Sequence, residues 1–231
     1  MRPTLIERLL DPRVFPHPVE PLQVVETHIS WVILTGEFAY KIKKPVNLGF
    51  LDFTRLEQRR HFCEEELRLN RRTTPELYLG IMPIAETPAG LRIGREPAIE
   101  YALRMRQFPA DARLDHQLQA GRLTIPMIGS LAKTVADFHL SLPPLKVEDP
   151  ALMINRLAQF ALDNFSAIRK AYGSSPVPAV LAQIETWTHA QLERMGAVFE
   201  DRALHGFIRD CHGDLHLANA ARIGGKFILF D

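Results

Sequence analysis

Four residues near the end of the chain have types and spacing suited to chemistry: His212, Asp214, Asn219 and Asp231. The first three stand in the segment CHGDLHLAN, residues 211–219. Gly224-Gly225 follows, flanked by ANAARI and KFILFD, and a two-residue Gly-Gly loop between such runs predicts a β-hairpin. If that pair is the loop, Ile223 faces Lys226, and the pairing carries outward until Asn219 faces Phe230. Asp231 then lies at the same open end of the ribbon as Asn219, with Asp214 in the segment that feeds it. Two carboxylates and an amide oxygen are hard ligands. They suit Mg²⁺ bound together with phosphates better than they suit zinc. Phosphoryl transfer asks for such a set: one carboxylate to position the attacking hydroxyl and accept its proton, and an Asn and an Asp to hold the metal on the phosphates.

The H-x-D-x4-N spacing of His212, Asp214 and Asn219 resembles the catalytic loop of the protein-kinase-like superfamily. Gly213, giving HGD, is similar to its small-molecule branch, the aminoglycoside phosphotransferase and choline kinase-like enzymes. That resemblance implies Asp214 as catalytic base, Asn219 as a metal ligand, and Asp231 as the metal-binding aspartate of the DFG position. It also asks for a lysine on the third strand and a glutamate on the next helix. Phe38-Ala39-Tyr40-Lys41 matches the V-A-I-K pattern, so Lys41 is the choice, with Lys43 on the same strand face as the alternative. On the helix, a rotation of about 100° per residue puts Leu56, Phe62, Cys63, Leu67 and Leu69 on one face. Glu66 falls inside that face, while Glu64 and Glu65 fall at its edge or outside. A carboxylate on a buried face needs a partner, and Lys41 is the expected one.

The segments THISWVILTGEFAYKIKKPV, HFCEEELRLNRR and HGDLHLAN extend the resemblance to a bacterial family of aminoglycoside phosphotransferase-like proteins. Its longer members carry a further P-loop ATP-binding domain, and no GxxxxGK[ST] occurs in this chain. The resemblance implies ATP and Mg²⁺ as cofactors and a small hydroxylated molecule as acceptor. It places adenine on backbone groups near Arg106–Pro109. Two departures stand out. Glu26-Thr27-His28-Ile29-Ser30 occupies the position of the Gly-rich loop, so the hydroxyls and amides of Thr27 and Ser30 are the candidates to cover the phosphates. The superfamily's second lobe also normally continues beyond the position of Asp231, so an incomplete second lobe is expected.

Elements must hold these groups in place. Strands are expected at 23–27, 29–34, 38–43, 78–85, 90–94 and 98–106. A capping box, Thr54-Arg55-Leu56-Glu57, is expected to open a helix that runs to about Arg72. Helices follow near 112–120, 125–141, 150–171 and 177–200. This is an α+β layout of two kinase-like lobes: a strand-rich lobe with one helix over 1–108, and a helical lobe with the catalytic loop and hairpin over 109–231.

Composition narrows the alternatives. Lys+Arg is 28 against Asp+Glu 27, a net charge of +1 that argues for neither nucleic acid nor an acidic membrane surface as partner. No run of 18 apolar residues is present, and the amino-terminal segment is too charged for a signal peptide. Two cysteines, Cys63 and Cys211, without CxxC spacing fit reduced thiols in a cytoplasmic protein. His212 and His216 stand at i, i+4 as in a zinc-binding helix, but Gly213 disfavours that helix and HExxH is not matched. A nucleotide-binding module without turnover is the competing class, favoured by the missing Gly-rich loop.

Overall fold

The computed structural model describes residues 4–49 and 51–231 of the chain. Its architecture is α+β. Six strands form one antiparallel sheet: β1 (Gln23–Glu26), β2 (Ser30–Leu34), β3 (Phe38–Lys43), β4 (Tyr78–Thr87), β5 (Gly90–Ile93) and β6 (Ala98–Arg106), in the order β1-β2-β3-β6-β4-β5. The central position of β3 follows from its sequence. FAYKIK combines two aromatics, one small residue, one β-branched residue and two lysines, and five of the six, both lysines included, are buried between neighbouring strands.

Alternation along β3 sorts two environments. Tyr40 and Ile42 point into an apolar cluster with Trp31, Ile33, Ile84, Leu91 and Ala102. That cluster is sealed by α1 (Thr4–Arg8) and a 3-10 turn at Pro12–Val14, through Ile6, Leu9, Val14 and Phe15. Ala39, Lys41 and Lys43 point to the opposite face, where α2 (Leu56–Asn70) lies on β4 and β6. Leu77, Tyr78 and Leu103 form the smaller core there, with Leu67, Ile228 and Phe230 against it.

The expected capping box is not formed. Arg55, not Thr54, is the N-cap of α2 and makes no side-chain cap bond. Thr54 N instead donates to Asp52 Oδ1 at 2.9 Å, closing an Asx turn, and the Thr54 hydroxyl donates to the same oxygen at 2.7 Å, so the helix starts one residue later. The helix also buries a charge that the apolar face did not reveal. Arg59 donates through Nε to both carboxylate oxygens of Glu100 at 3.0 and 2.9 Å, and through Nη1 to Phe53 O and Thr54 O at 2.9 and 3.0 Å.

The chain divides into two compact units. One runs to Thr134 and resumes over Asp214–Asp231; the other is Val135–Gly213. The boundary expected at 108/109, where strands give way to helices, falls two residues past the end of β6; the two compact units part at Thr134 and at Gly213. The reason lies in α3 (Leu114–Gln119), which packs on the 3-10 turn Leu217–Asn219 and on β7 (Ala220–Ile223), while Arg113 bridges Ala221. Asp214, Asn219 and the hairpin therefore belong to the body that holds the sheet, while His212 and Gly213 close the other unit. β7 pairs with β8 (Lys226–Leu229) in the expected register, Ile223 opposite Lys226 and Ala220 opposite Leu229.

The second unit holds the end of α4 (Ile125–Ser141) and two long packed helices, α5 (Pro150–Tyr172) and α6 (Ala179–Leu204). Asp149 caps α5 by accepting from Leu152 N at 2.9 Å, with Pro150 in the first turn. Arg169 and Glu185 tie the two helices together by an ion pair. Among the described residues no helix is long and apolar enough to cross a membrane.

Candidate active site

A cavity of about 640 Å³ opens in the sheet-bearing unit. Lys41 lines it from β3, and Asp214, His216, Asn219 and Asp231 line it from the loop and hairpin. Thr27 and His28 contribute from the β1–β2 turn, Arg106 from the end of β6, and Gln107 and Phe108 from the segment after it. A second, more open hollow of about 560 Å³ lies between the start of α4 and the hairpin. Arg222 and Lys226 border that one, and no carboxylate does, so it lacks a base.

The lysine is aimed by its partners. Lys41 Nζ lies 2.8 Å from Glu66 Oε1 and also bonds Asp231 Oδ1. Lys43 Nζ donates to the other oxygen of the same glutamate, Oε2, at 2.7 Å. Burial would raise the Glu66 carboxyl, yet the two ammonium groups hold it down at about 2. Burial would lower Lys41, but Glu66 and Asp231 outweigh it and raise it above the usual lysine range. Lys41 is therefore a fixed, permanent cation at the cavity wall. Glu66 does not line the cavity and acts through Lys41. Glu64 and Glu65 pair outward with Arg60 and Arg68, as their positions on the helix imply.

The carboxylate side is built from the hairpin. Phe230 N donates to Asn219 O at 2.9 Å, which brings Asn219 and Asp231 to one end of the ribbon as the register requires. Long-range bonds hold that end on the sheet. Thr73 Oγ1 donates to Leu229 O at 2.8 Å, and Asp231 N donates to the Tyr78 hydroxyl at 3.0 Å. Gly213, with φ of 82°, sets up Asp214 through a turn that a side chain would strain.

Asn219 is buried. Its Nδ2 donates to Asp214 O at 3.0 Å and to Asp214 Oδ2 at 3.4 Å, which leaves Oδ1 as the amide atom of the right type for a cation. Among the described residues no cluster of three or more His, Cys, Asp or Glu side chains could hold a metal. A set of two carboxylates and one amide oxygen fits Mg²⁺, which keeps waters and takes phosphate oxygens to complete its shell. His216 Nδ1 accepts from Ala218 N at 3.2 Å and caps the turn that carries Asn219, while its Nε2 lies 3.8 Å from Asp214 Oδ2.

The structure brings Thr27, but not Ser30, to the cavity. Thr27 Oγ1 donates to Ser30 O at 3.1 Å and accepts from Ser30 N at 3.0 Å, so these groups close the turn on itself. Ser30 is fully buried, and its hydroxyl finds no hydrogen-bond partner among the described residues. At the end of β6, Arg106 N donates to Leu77 O and the next residue's Gln107 N to Glu37 O, both at 2.9 Å, so these two amides are committed to the fold. Sequence reasoning missed Tyr78, for which no local signal exists, and the sharing of Glu66 by both lysines, which the i, i+2 spacing of Lys41 and Lys43 foreshadows.

No family model matches the chain, and no solved structure matches it. It is similar to uncharacterized proteins of Mycobacterium bovis and of two strains of Mycobacterium tuberculosis, each 29% identical over 218 residues. The match covers 93% of this chain and 42% of each relative, so the chain spans less than half the length of the curated relatives it matches.

Proposed function

We propose that the protein is an ATP-dependent phosphotransferase of the two-lobed kinase-like class, acting on a hydroxyl of a small molecule. One observation carries this: a lysine held by a buried glutamate meets Asp231 in the same cavity as Asp214 and Asn219. Lys41 binds phosphate oxygens, and Glu66 keeps it aimed. Asp214 orients the acceptor hydroxyl and accepts its proton as the oxygen attacks. Asn219 and Asp231 are the residues to hold Mg²⁺, which when bound neutralises charge on the phosphates. Thr27 and His28 border the phosphate side. Adenine belongs beside Gln107 and Phe108. The extra length of the mycobacterial relatives has room for a further domain, and the resemblance implies a P-loop ATP-binding one. Two free cysteines suit a reducing, cytoplasmic setting.

The test is direct. Calorimetric titration with Mg-ATP should give saturable binding, and a panel of hydroxylated acceptors should reveal transfer. Asp214→Ala should abolish transfer while leaving ATP affinity nearly intact; persistent turnover in that variant would show that Asp214 is not the base. A second reading, a nucleotide-binding module without turnover, is favoured by the self-closed Thr27–Ser30 turn. Binding of Mg-ATP without transfer to any acceptor would select it.

A further inference from the structure

One glutamate suffices to aim one lysine, yet two lysines converge on Glu66. Lys41 lines the cavity and reaches Asp231. Lys43 does not line it: this side chain is sealed behind β3, 5% exposed, with Nζ 2.7 Å from Glu66 Oε2 and 5.0 Å from the centre of the Phe53 ring. A ligand in the cavity cannot touch it. Any effect on such a ligand has to pass through Glu66.

The charges then decide what that effect is. Lys41 and Lys43 balance Glu66 and Asp231, so the cluster is neutral while Asp231 leans on Lys41. With a neutral side chain at 43, Glu66 and Asp231 would outnumber Lys41, and the cluster would work against the pull of Arg106 and Arg113, which also line the cavity, on an entering anion. At a separation of a few ångströms and an effective dielectric near 20, one unit of charge is a sizeable part of a phosphate's affinity.

We propose that Lys43 is a positioning residue that neutralises Glu66, so that Glu66 can aim Lys41 without cancelling the charge Lys41 offers to a polyphosphate. The inference rests on the phosphate-binding role assigned to the cavity above. It assigns the chain's second strand lysine to charge balance rather than to ligand contact.

The experiment is calorimetric titration of the full chain with tripolyphosphate alone, and separately with Mg-ATP. The proteins compared are the wild type, Lys43→Met, Lys43→Arg, Glu66→Gln, and Lys43→Met combined with Glu66→Gln. Lys43→Met should weaken tripolyphosphate binding by about tenfold or more, and Lys43→Arg should stay within about threefold of the wild type. Glu66→Gln alone is the reference for the double variant, because both lack the carboxylate that aims Lys41. With no charge at 66 to neutralise, adding Lys43→Met to Glu66→Gln should change affinity by less than about threefold. Wild-type affinity in Lys43→Met, or a further loss of about tenfold between Glu66→Gln and the double variant, overturns the inference and leaves the proposed function standing. Absence of polyphosphate binding by the wild type overturns both. Should Met at 43 alone prevent folding, the comparison of Glu66→Gln with the double variant carries the test.

Discussion

The sheet-bearing unit and the α5–α6 unit handle apolar and charged side chains in opposite ways. In the first, Ile33, Tyr40, Ile42, Ile84 and Leu103 are fully buried, and the same body also encloses Lys41, Lys43, Arg59 and Glu100. In α5 and α6, Phe165, Leu181 and Ala203 are the buried residues, while Phe160 and Trp187 are 72% and 63% exposed. Enclosed charges cost several kcal/mol each unless paired, and a dense apolar core can offset that cost. The candidate site therefore sits in the unit with the packing to sustain buried charge. A helical wheel sharpens the contrast. Leu157, Phe160 and Ile168 fall on one stripe of α5, and Val180, Ile184, Trp187 and Val198 on one stripe of α6, each beside the face that packs on the other helix. Exposed apolar stripes of this kind mark surfaces suited to association.

The difference can be tested from its strongest point downward. Glu100→Ala leaves Arg59 buried without its carboxylate and should cost about 3–5 kcal/mol, read by urea denaturation. A smaller loss from Glu100→Ala than from Ile33→Ala would mean that the buried pair matters less than packing. Ile33→Ala should itself cost about 2–5 kcal/mol, whereas Phe160→Ser should change stability by less than about 0.5 kcal/mol. Equal effects at positions 33 and 160 would erase the distinction between the units.

Acid sharpens the comparison further. Glu66 is held at about 2 against an ordinary value of 4.5. A carboxyl whose folded pKa is depressed contributes stability above its unfolded pKa and loses it as the pH falls through the folded one. Between pH 4.5 and 2 the wild type should lose roughly 3 kcal/mol that a Glu66→Gln variant does not lose. Parallel acid titrations of stability would show it, and superimposable curves would remove Glu66 from the account. Amide exchange gives a finer reading: protons of β3 and β6 should outlast those of α5 and α6. The smallest effect expected is at Cys63, whose thiol burial pushes up to about 12; alkylation at pH 8 should mark Cys211 and spare Cys63 until the protein unfolds.

Much of this was legible in the residues. Alternation in FAYKIK separated the lysine face from the apolar face, Gly224-Gly225 fixed the hairpin register, and a helical wheel turned Glu66 inward. What was not legible depends on contacts between distant segments. α1 spans five residues, too few to show a period, and Ile6 and Leu9 are core residues because the sheet is there to receive them. The Thr54 box had the right letters, but Asp52 competed for the same hydroxyl. Arg59 looked like one charge among many on a charged helix, and its partner Glu100 lies 41 residues away.

The hairpin's attachment to the sheet carries a consequence for synthesis. The chain leaves the sheet body at Thr134 and returns at Asp214, and the bonds from Thr73 to Leu229 and from Asp231 to Tyr78 join residues more than 150 positions apart. Translation proceeds from the amino terminus, so β3 and α2 leave the ribosome long before Asp214, Asn219 and Asp231 are made. Until they arrive, Lys41 and Lys43 share one glutamate and one positive charge stands unanswered. The nascent protein thus carries a basic spot that is quenched only when the hairpin arrives, and the cavity has no earlier form.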